Sequence, residues 1–88
     1  MTSAQFHRIS KVLANKRRYA ILSRIAGCEE LACSEMRAKV HITAATFSHH
    51  IKELVNAGLV EARKEGRFVH MKLRRKVWQE YLTRLREL

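Results

Sequence analysis

The chain has 88 residues, of which 47% are hydrophobic, so it is long enough for one small domain and too apolar to stay disordered. Its 18 Lys and Arg against 8 Asp and Glu give a net charge of +10, which indicates a polyanionic partner, with nucleic acid first. A membrane partner is not expected, because no window reaches transmembrane length and no purely cationic amphipathic segment occurs.

Helical spacing of apolar residues predicts the first two elements. A first helix over residues 3–14 carries Phe6, Ile9, Val12 and Leu13 on one face. Asn15 is a suitable cap for a second helix over residues 16–26, which Gly27 ends. This second helix is predicted to bury Tyr19, Ile21, Leu22 and Ile25.

A connector over residues 28–32 leads to a predicted helix-turn-helix. Ser34 is the expected cap of a short helix over residues 35–40, with Met36 and Val40 facing inward. After the link His41-Ile42, Thr43 is the expected cap of a longer helix that Gly58 ends with a left-handed turn. Its inward face holds Phe47, Ile51, Leu54 and Val55.

The period then changes to that of strands. Residues 59–64 and 67–73 are β-rich runs, and Val69, Met71 and Leu73 alternate with His70 and Lys72. Glu65-Gly66 separates the runs, and a glycine suits a tight hairpin. From Arg75 the helical period returns. The prediction is a single domain over residues 1–88, mainly α with a β-hairpin, in the winged helix-turn-helix order α-α-α-α-β-β-α.

Three blocks carry a resemblance to a known family. They read LANKRRYAIL over residues 13–22, TAATFSHHIKELVNAGLV over residues 43–60 and RKEGRFVHMKL over residues 63–73. With these blocks in this order, the chain resembles the ArsR-type family of small winged-helix repressors over nearly its whole length. The resemblance implies a homodimer that pairs through its first and last helices, binds operator DNA and represses transcription.

The expected nucleic-acid interface follows from this interpretation. The residues expected to face the major groove are small, polar or basic: Thr43, Ala45, Thr46, Ser48, His49 and Lys52. Seven basic and two acidic residues lie between Leu59 and Lys76, so the hairpin suits contact with phosphate. The residues expected at the DNA backbone are Arg17, Arg18, Arg63, Lys64 and Arg67.

The expected dimer interface lies on apolar stripes of the first and last helices. Its residues are Phe6, Ile9, Leu13, Trp78, Tyr81, Leu82 and Leu85. A ligand pocket around Trp78 and Tyr81 is the less favoured interpretation of the same stripe, because a domain this small gains core by pairing.

No metal site or cofactor is predicted. The stretch over residues 30–36, where many family members carry a Cys-x-Cys pair, keeps only Cys33, and residues 75–88 contain no His and no Asp. His49 and His50 diverge by about 100° on a helix, which prevents them from sharing one ion. His50 is instead predicted to be packed and hydrogen-bonded, and His41 replaces a glycine that the family commonly has in the turn.

Two further alternatives stay open. Cys28 and Cys33 form either a redox switch or, as favoured here, two small apolar positions. The positive charge indicates binding to DNA. The rival function is a winged-helix interaction module that binds an acidic protein partner. RNA is disfavoured because no aromatic pair projects from an open sheet.

No catalytic arrangement of a nucleophile, base and acid occurs, so an enzyme is not expected. With no signal peptide at residues 1–8, the expected location is the reducing cytoplasm.

Overall fold

The structure, a computed structural model, describes residues 1–88 as five helices and three strands. In chain order they are α1 (Ser3–Leu13), α2 (Lys16–Ala26), β1 (Leu31–Ala32), α3 (Cys33–Arg37), α4 (Ala44–Asn56), β2 (Val60–Glu65), β3 (Phe68–Leu73) and α5 (Arg75–Arg86). This order confirms the predicted winged helix-turn-helix and adds the short strand β1. None of the helices combines the length and the apolar character needed to cross a membrane.

Side-chain caps fix where the longer helices begin. The Asn15 side chain accepts a hydrogen bond from the Arg18 backbone N–H at 3.0 Å, and the Thr43 hydroxyl accepts one from Thr46 N–H at 3.1 Å. Both caps were predicted from the sequence and are confirmed. Each satisfies one of the backbone donors that the first turn of a helix leaves without a partner.

The short helix α3 departs from its prediction. It begins at Cys33 rather than at Glu35 and ends at Arg37, and Ser34 lies inside it instead of capping it. The cause is β1, which pairs Leu31 with Met71 and Ala32 with His70 of β3. Because the chain leaves this strand directly into the helix, Ala32 occupies the cap position and makes no side-chain hydrogen bond there.

The sheet has the strand order β1-β3-β2, and both pairings are antiparallel. Val60 pairs with Leu73 at the base of the hairpin and Glu65 with Phe68 at its end, so Gly66-Arg67 forms a two-residue turn. Gly66 has φ +62°, the positive value that the first central residue of a type I′ or II′ hairpin turn requires.

A single hydrophobic cluster joins the helices to the inner side of the sheet. Ile9 of α1, Leu54 of α4 and Met71 of β3 have no solvent exposure, and α2 and α3 both contact β3. Two residues predicted to be buried are not, since Tyr19 is 56% exposed and Val55 is 37% exposed. Each lies roughly 90–110° around its helix from the centre of the buried face, so its spacing mimics the core pattern without reaching the core.

The link between α4 and β2 is a capping motif at the C-terminal end of the helix. The N–H of Gly58 donates to the carbonyl of Val55 at 2.9 Å, and the N–H of Leu59 donates to the carbonyl of Leu54 at 3.1 Å. These two bonds define a Schellman motif, in which Gly58 takes the left-handed conformation with φ +81°. Leu54 and Leu59 are both fully buried, which supplies the apolar contact that accompanies the motif.

We expect Gly58→Ala to lower the free energy of unfolding by roughly 1–2 kcal/mol, because an L residue is strained at this φ. The matched control is Gly27→Ala: Gly27 caps α2 at φ −76°, and an added Cβ meets only carbonyl oxygens at 3.6 Å. This control should be neutral or stabilise the fold by about 0.4–1 kcal/mol. Urea unfolding of both variants measures the difference, and equal losses would contradict the proposed role of the left-handed turn.

Candidate nucleic-acid interface

The outward side of α4 presents a continuous polar surface. All six residues predicted to face a major groove are exposed: Thr43, Ala45, Thr46, Ser48, His49 and Lys52. They lie opposite the buried Phe47, Ile51 and Leu54. The helix therefore has one face committed to the core and one free to enter a groove about 12 Å wide.

Within this surface the hydroxyl of Thr43 is already engaged. It accepts the capping hydrogen bond from Thr46 N–H and donates to the Thr46 hydroxyl at 2.9 Å. Thr46 keeps its own hydroxyl hydrogen for another acceptor. The polar groups of α4 that remain available to base edges are thus those of Thr46, Ser48, His49 and Lys52.

The turn before α4 is built without a strained residue. His41 stands where the family commonly has a glycine, a residue that can take a positive φ in a turn. No residue other than Gly58 and Gly66 has a positive φ. The chain therefore passes His41 in an ordinary conformation, and the turn differs in shape from one that uses a left-handed glycine.

The hairpin contains one arginine that is occupied within the chain. Arg63 contacts Glu65 at 2.7 Å and Glu30, in the segment before β1, at 2.5 Å. These hydrogen bonds lower the pKa of the Glu65 carboxyl and raise the pKa of the Arg63 guanidinium. His70 lies beside the same two carboxylates, with nitrogen-to-oxygen distances of 3.7 and 4.0 Å. The sequence predicts that Arg63 contacts the DNA backbone, and it does not reveal Glu30 as a partner within the chain.

Two other cations of the hairpin are free. Lys64 and Arg67 are exposed and form no ion pair within the chain. The Arg67 guanidinium carbon lies 5.3 Å from the centre of the Phe68 ring, which supports the side chain at the tip through a cation–π contact. The tip therefore offers two positive charges that are not neutralised internally.

A third group of cations lies where the start of α2 meets α4. Arg17 is exposed, Arg18 is half-buried, and His50 of α4 is 6% exposed. Burial lowers the pKa of His50 first, and the positive charges of Arg18, His49 and Arg17 lower it further. His50 is packed as predicted, but the expected hydrogen bond is missing, since its buried Nδ1 has no partner in the protein. The buried Nε of Arg18 also has no partner.

Cys33 fits the apolar interpretation, whereas Cys28 does not. Cys33 is half-buried with its Sγ 3.3 Å from the Sδ of Met71, and burial raises the pKa of its thiol. A raised pKa reduces the thiolate fraction that disulfide exchange requires. Cys28 is exposed.

The chain has no group of three or more His, Cys, Asp or Glu side chains placed to hold a metal ion.

The predicted pairing surface on α1 and α5 divides into two parts. Ile9 is 0% and Tyr81 5% exposed, and the Tyr81 hydroxyl is hydrogen-bonded to Ser10 at 2.8 Å. These two residues belong to the core of the single chain, so they offer almost no surface for pairing. The residues of the predicted set that keep exposed area are Phe6, Leu13, Trp78, Leu82 and Leu85.

Comparison with known proteins connects this geometry to a family. A family profile described as a helix-turn-helix domain matches residues 13–63. The HTH-type transcriptional regulator YceK of Bacillus subtilis is 37% identical over 75 residues, which cover 84% of this chain and 75% of that protein. An arsenical resistance operon repressor of Staphylococcus aureus is 33% identical over 66 residues, covering 75% of this chain and 62% of that repressor.

Solved structures give the same result. The homodimeric winged helix-turn-helix DNA-binding domain of a possible ArsR-family regulator from Mycobacterium bovis superposes with a TM-score of 0.77 at 31% identity. The match covers 91% of this chain and 74% of that one. The protein HlyU of Vibrio cholerae, in its reduced form, superposes with a TM-score of 0.73 at 32% identity, covering 94% and 90% of the two chains.

The buried His50 predicts a pH dependence of stability. Its pKa in the folded chain is below the ordinary value of 6.5, so the unfolded chain binds a proton more readily near that pH. The free energy of unfolding should therefore be fully retained above pH 6.5 and should fall as the pH drops through that value. Urea unfolding at about pH 7.5 and about pH 5.5 measures the loss.

The variant His50→Gln should show a smaller loss between the two pH values than the unaltered chain. His7→Gln is the matched control, because His7 is exposed on α1 and is not one of the groups that lower the pKa of His50, so this variant should leave the loss unchanged. If both variants reduce the loss equally, burial of His50 is not its source.

Proposed function

Because the chain belongs to the ArsR family of winged helix-turn-helix transcriptional regulators, we propose that it is a cytoplasmic repressor that binds a palindromic operator as a homodimer. Bound at a promoter, such a dimer would block polymerase. The proteins it matches are transcriptional regulators rather than enzymes.

One observation carries the proposal. The exposed polar face of α4 and the free cations of the hairpin tip lie on consecutive elements, α4, β2 and β3, of a chain with net charge +10. A helix that reads bases beside a cationic hairpin that holds phosphate is the arrangement of a DNA reader. An acidic protein partner would use the charge without needing this pairing of a helix face with a hairpin.

We assign separate roles to the two surfaces. Thr46, Ser48, His49 and Lys52 would contact base edges, while Thr43 and Ala45 would bring the start of α4 close to the groove. Lys64 and Arg67, with Arg17 and Arg18 at the start of α2, would contact the DNA backbone. Arg63 would contribute less, because its charge is already balanced by Glu30 and Glu65.

The homodimer is proposed on the exposed apolar area of α1 and α5. Leu85 is 38% exposed, and Phe6 and Trp78 are only half-buried, in a chain of a size that gains stability by pairing. The structural relative from Mycobacterium bovis is itself described as homodimeric. A two-fold dimer would place its two α4 helices in successive major grooves, so half-sites should lie about 10 base pairs apart or a multiple of that.

Titrations on operator and random duplex should distinguish the residues that contact base edges from those that contact the DNA backbone. An operator is first obtained by selection from a random duplex pool. Ser48→Ala or His49→Ala should cost roughly 1–3 kcal/mol on the operator and less on random DNA, since base contacts carry the discrimination. Lys64→Ala or Arg67→Ala should weaken both equally and lower the salt slope by about one unit each.

The matched control is Arg63→Ala, which should change the salt slope by less than Lys64→Ala because Arg63 is paired within the chain. A wild-type chain that does not bind random duplex even at low salt would contradict DNA binding and favour the acidic protein partner. Equal proportional losses on both duplexes for His49→Ala and Arg67→Ala would mean that the reading face is wrongly assigned.

Leu85→Glu should weaken dimerisation and operator binding together, because it places a charge in the proposed interface. Thr83→Glu is the control, since Thr83 is exposed on the same helix outside the apolar stripe and adds the same charge. Sedimentation velocity and operator titration of the two variants provide the test. A wild-type monomer that binds a palindromic site tightly would overturn the dimer.

A further inference from the structure

An apolar cleft lies between α3, the outer edge of α4 and strand β3. Its volume is about 390 Å³, within the range of sites that hold small molecules. Phe47 and Ile51 form its floor, and the exposed Val55 and the half-buried Val69 form its walls. We call this space the α4 cleft.

The mouth of the α4 cleft is cationic. Arg37 at the end of α3 and Lys52 of α4 line it, and no acidic residue does. Neither of these two side chains forms an ion pair or a hydrogen bond within the chain, unlike Arg63 in the hairpin. Two unpaired cations beside an apolar floor are complementary to a molecule with an anionic head and an apolar body.

We propose that the α4 cleft binds a small amphiphile with an aliphatic body and one anionic head, of the class of medium-chain carboxylates. The aliphatic body lies over Phe47 and Ile51 between Val55 and Val69, where its burial removes apolar surface from water. The carboxylate lies between Arg37 and Lys52 and accepts charge-assisted hydrogen bonds from them.

Occupation of the α4 cleft has a consequence for DNA binding that rests on the proposed function. Ser48 and Lys52 line the cleft and also belong to the face of α4 assigned to the major groove. A bound carboxylate would neutralise Lys52 and place negative charge where phosphate and bases approach. The amphiphile and the operator therefore compete, and the ligand acts as an inducer by direct exclusion.

Calorimetric titration with decanoate, below its micelle concentration and without DNA, tests the site. The expected result is saturable binding of one decanoate per chain, with decanol at least about tenfold weaker because it lacks the charge. No saturable decanoate binding would overturn the site. Equal affinities for decanoate and decanol would overturn the anionic head.

Two variants locate the binding. Val55→Gln should weaken decanoate binding about tenfold by making the apolar wall polar, and Arg37→Gln should weaken decanoate but not decanol. Tyr19→Gln is the matched control, since Tyr19 is another exposed large hydrophobic residue, on α2 and outside the cleft. If Tyr19→Gln lowers affinity as much as Val55→Gln, decanoate binds elsewhere.

Competition is measured separately by titrating decanoate into the complex of the wild-type chain with the selected operator. We expect release of DNA by decanoate from the wild type and about tenfold less sensitivity in Val55→Gln, which is not part of the reading face. Binding of decanoate without release overturns the competition alone. A chain that binds decanoate but no duplex DNA refutes the proposed function and leaves the site standing.

Discussion

The turn at Gly58 is the constraint on which the rest of the molecule depends. It ends α4 with two backbone hydrogen bonds and directs the chain at once into β2. Leu59, the next residue, is fully buried, and its carbonyl accepts a 2.8 Å hydrogen bond from the N–H of Arg74, the residue between β3 and α5. One short segment thus fixes the end of the exposed helix, the start of the hairpin and its return to α5.

Charge is distributed over this frame in two distinct ways. Arg63 is used internally, because Glu30 and Glu65 pair with it. Arg75 donates hydrogen bonds to the carbonyl of Ala26, the last residue of α2, and to that of Cys28. Lys52, Lys64 and Arg67 have no such partners. The excess of positive charge therefore separates into cations that hold the fold together and cations left for another molecule.

The sequence predicted those features that depend on neighbouring residues. The caps at Asn15 and Thr43, the left-handed Gly58 and the hairpin at Gly66 are set by local chemistry, and the structure has all four. Two of the errors involve distant contacts. Pairing with β3 moved the start of α3, and a two-residue strand is too short to show alternation. Of the two partners of Arg63, Glu65 lies two positions away, but Glu30 lies 33 positions away, which no local pattern reveals.

The position of β3 between β1 and β2 limits how the hairpin can move. Met71 and His70 are held by β1 on one side and by β2 on the other, while Lys64 and Phe68 lie beyond the reach of β1. The base of the hairpin is therefore anchored at a set distance from α4, and only its tip is compliant. On the proposed function, a duplex must fit the fixed distance between α4 and the base of the hairpin. Whether it fits depends on its groove width and on how easily it bends. Operators would then be distinguished partly at base pairs that no side chain touches.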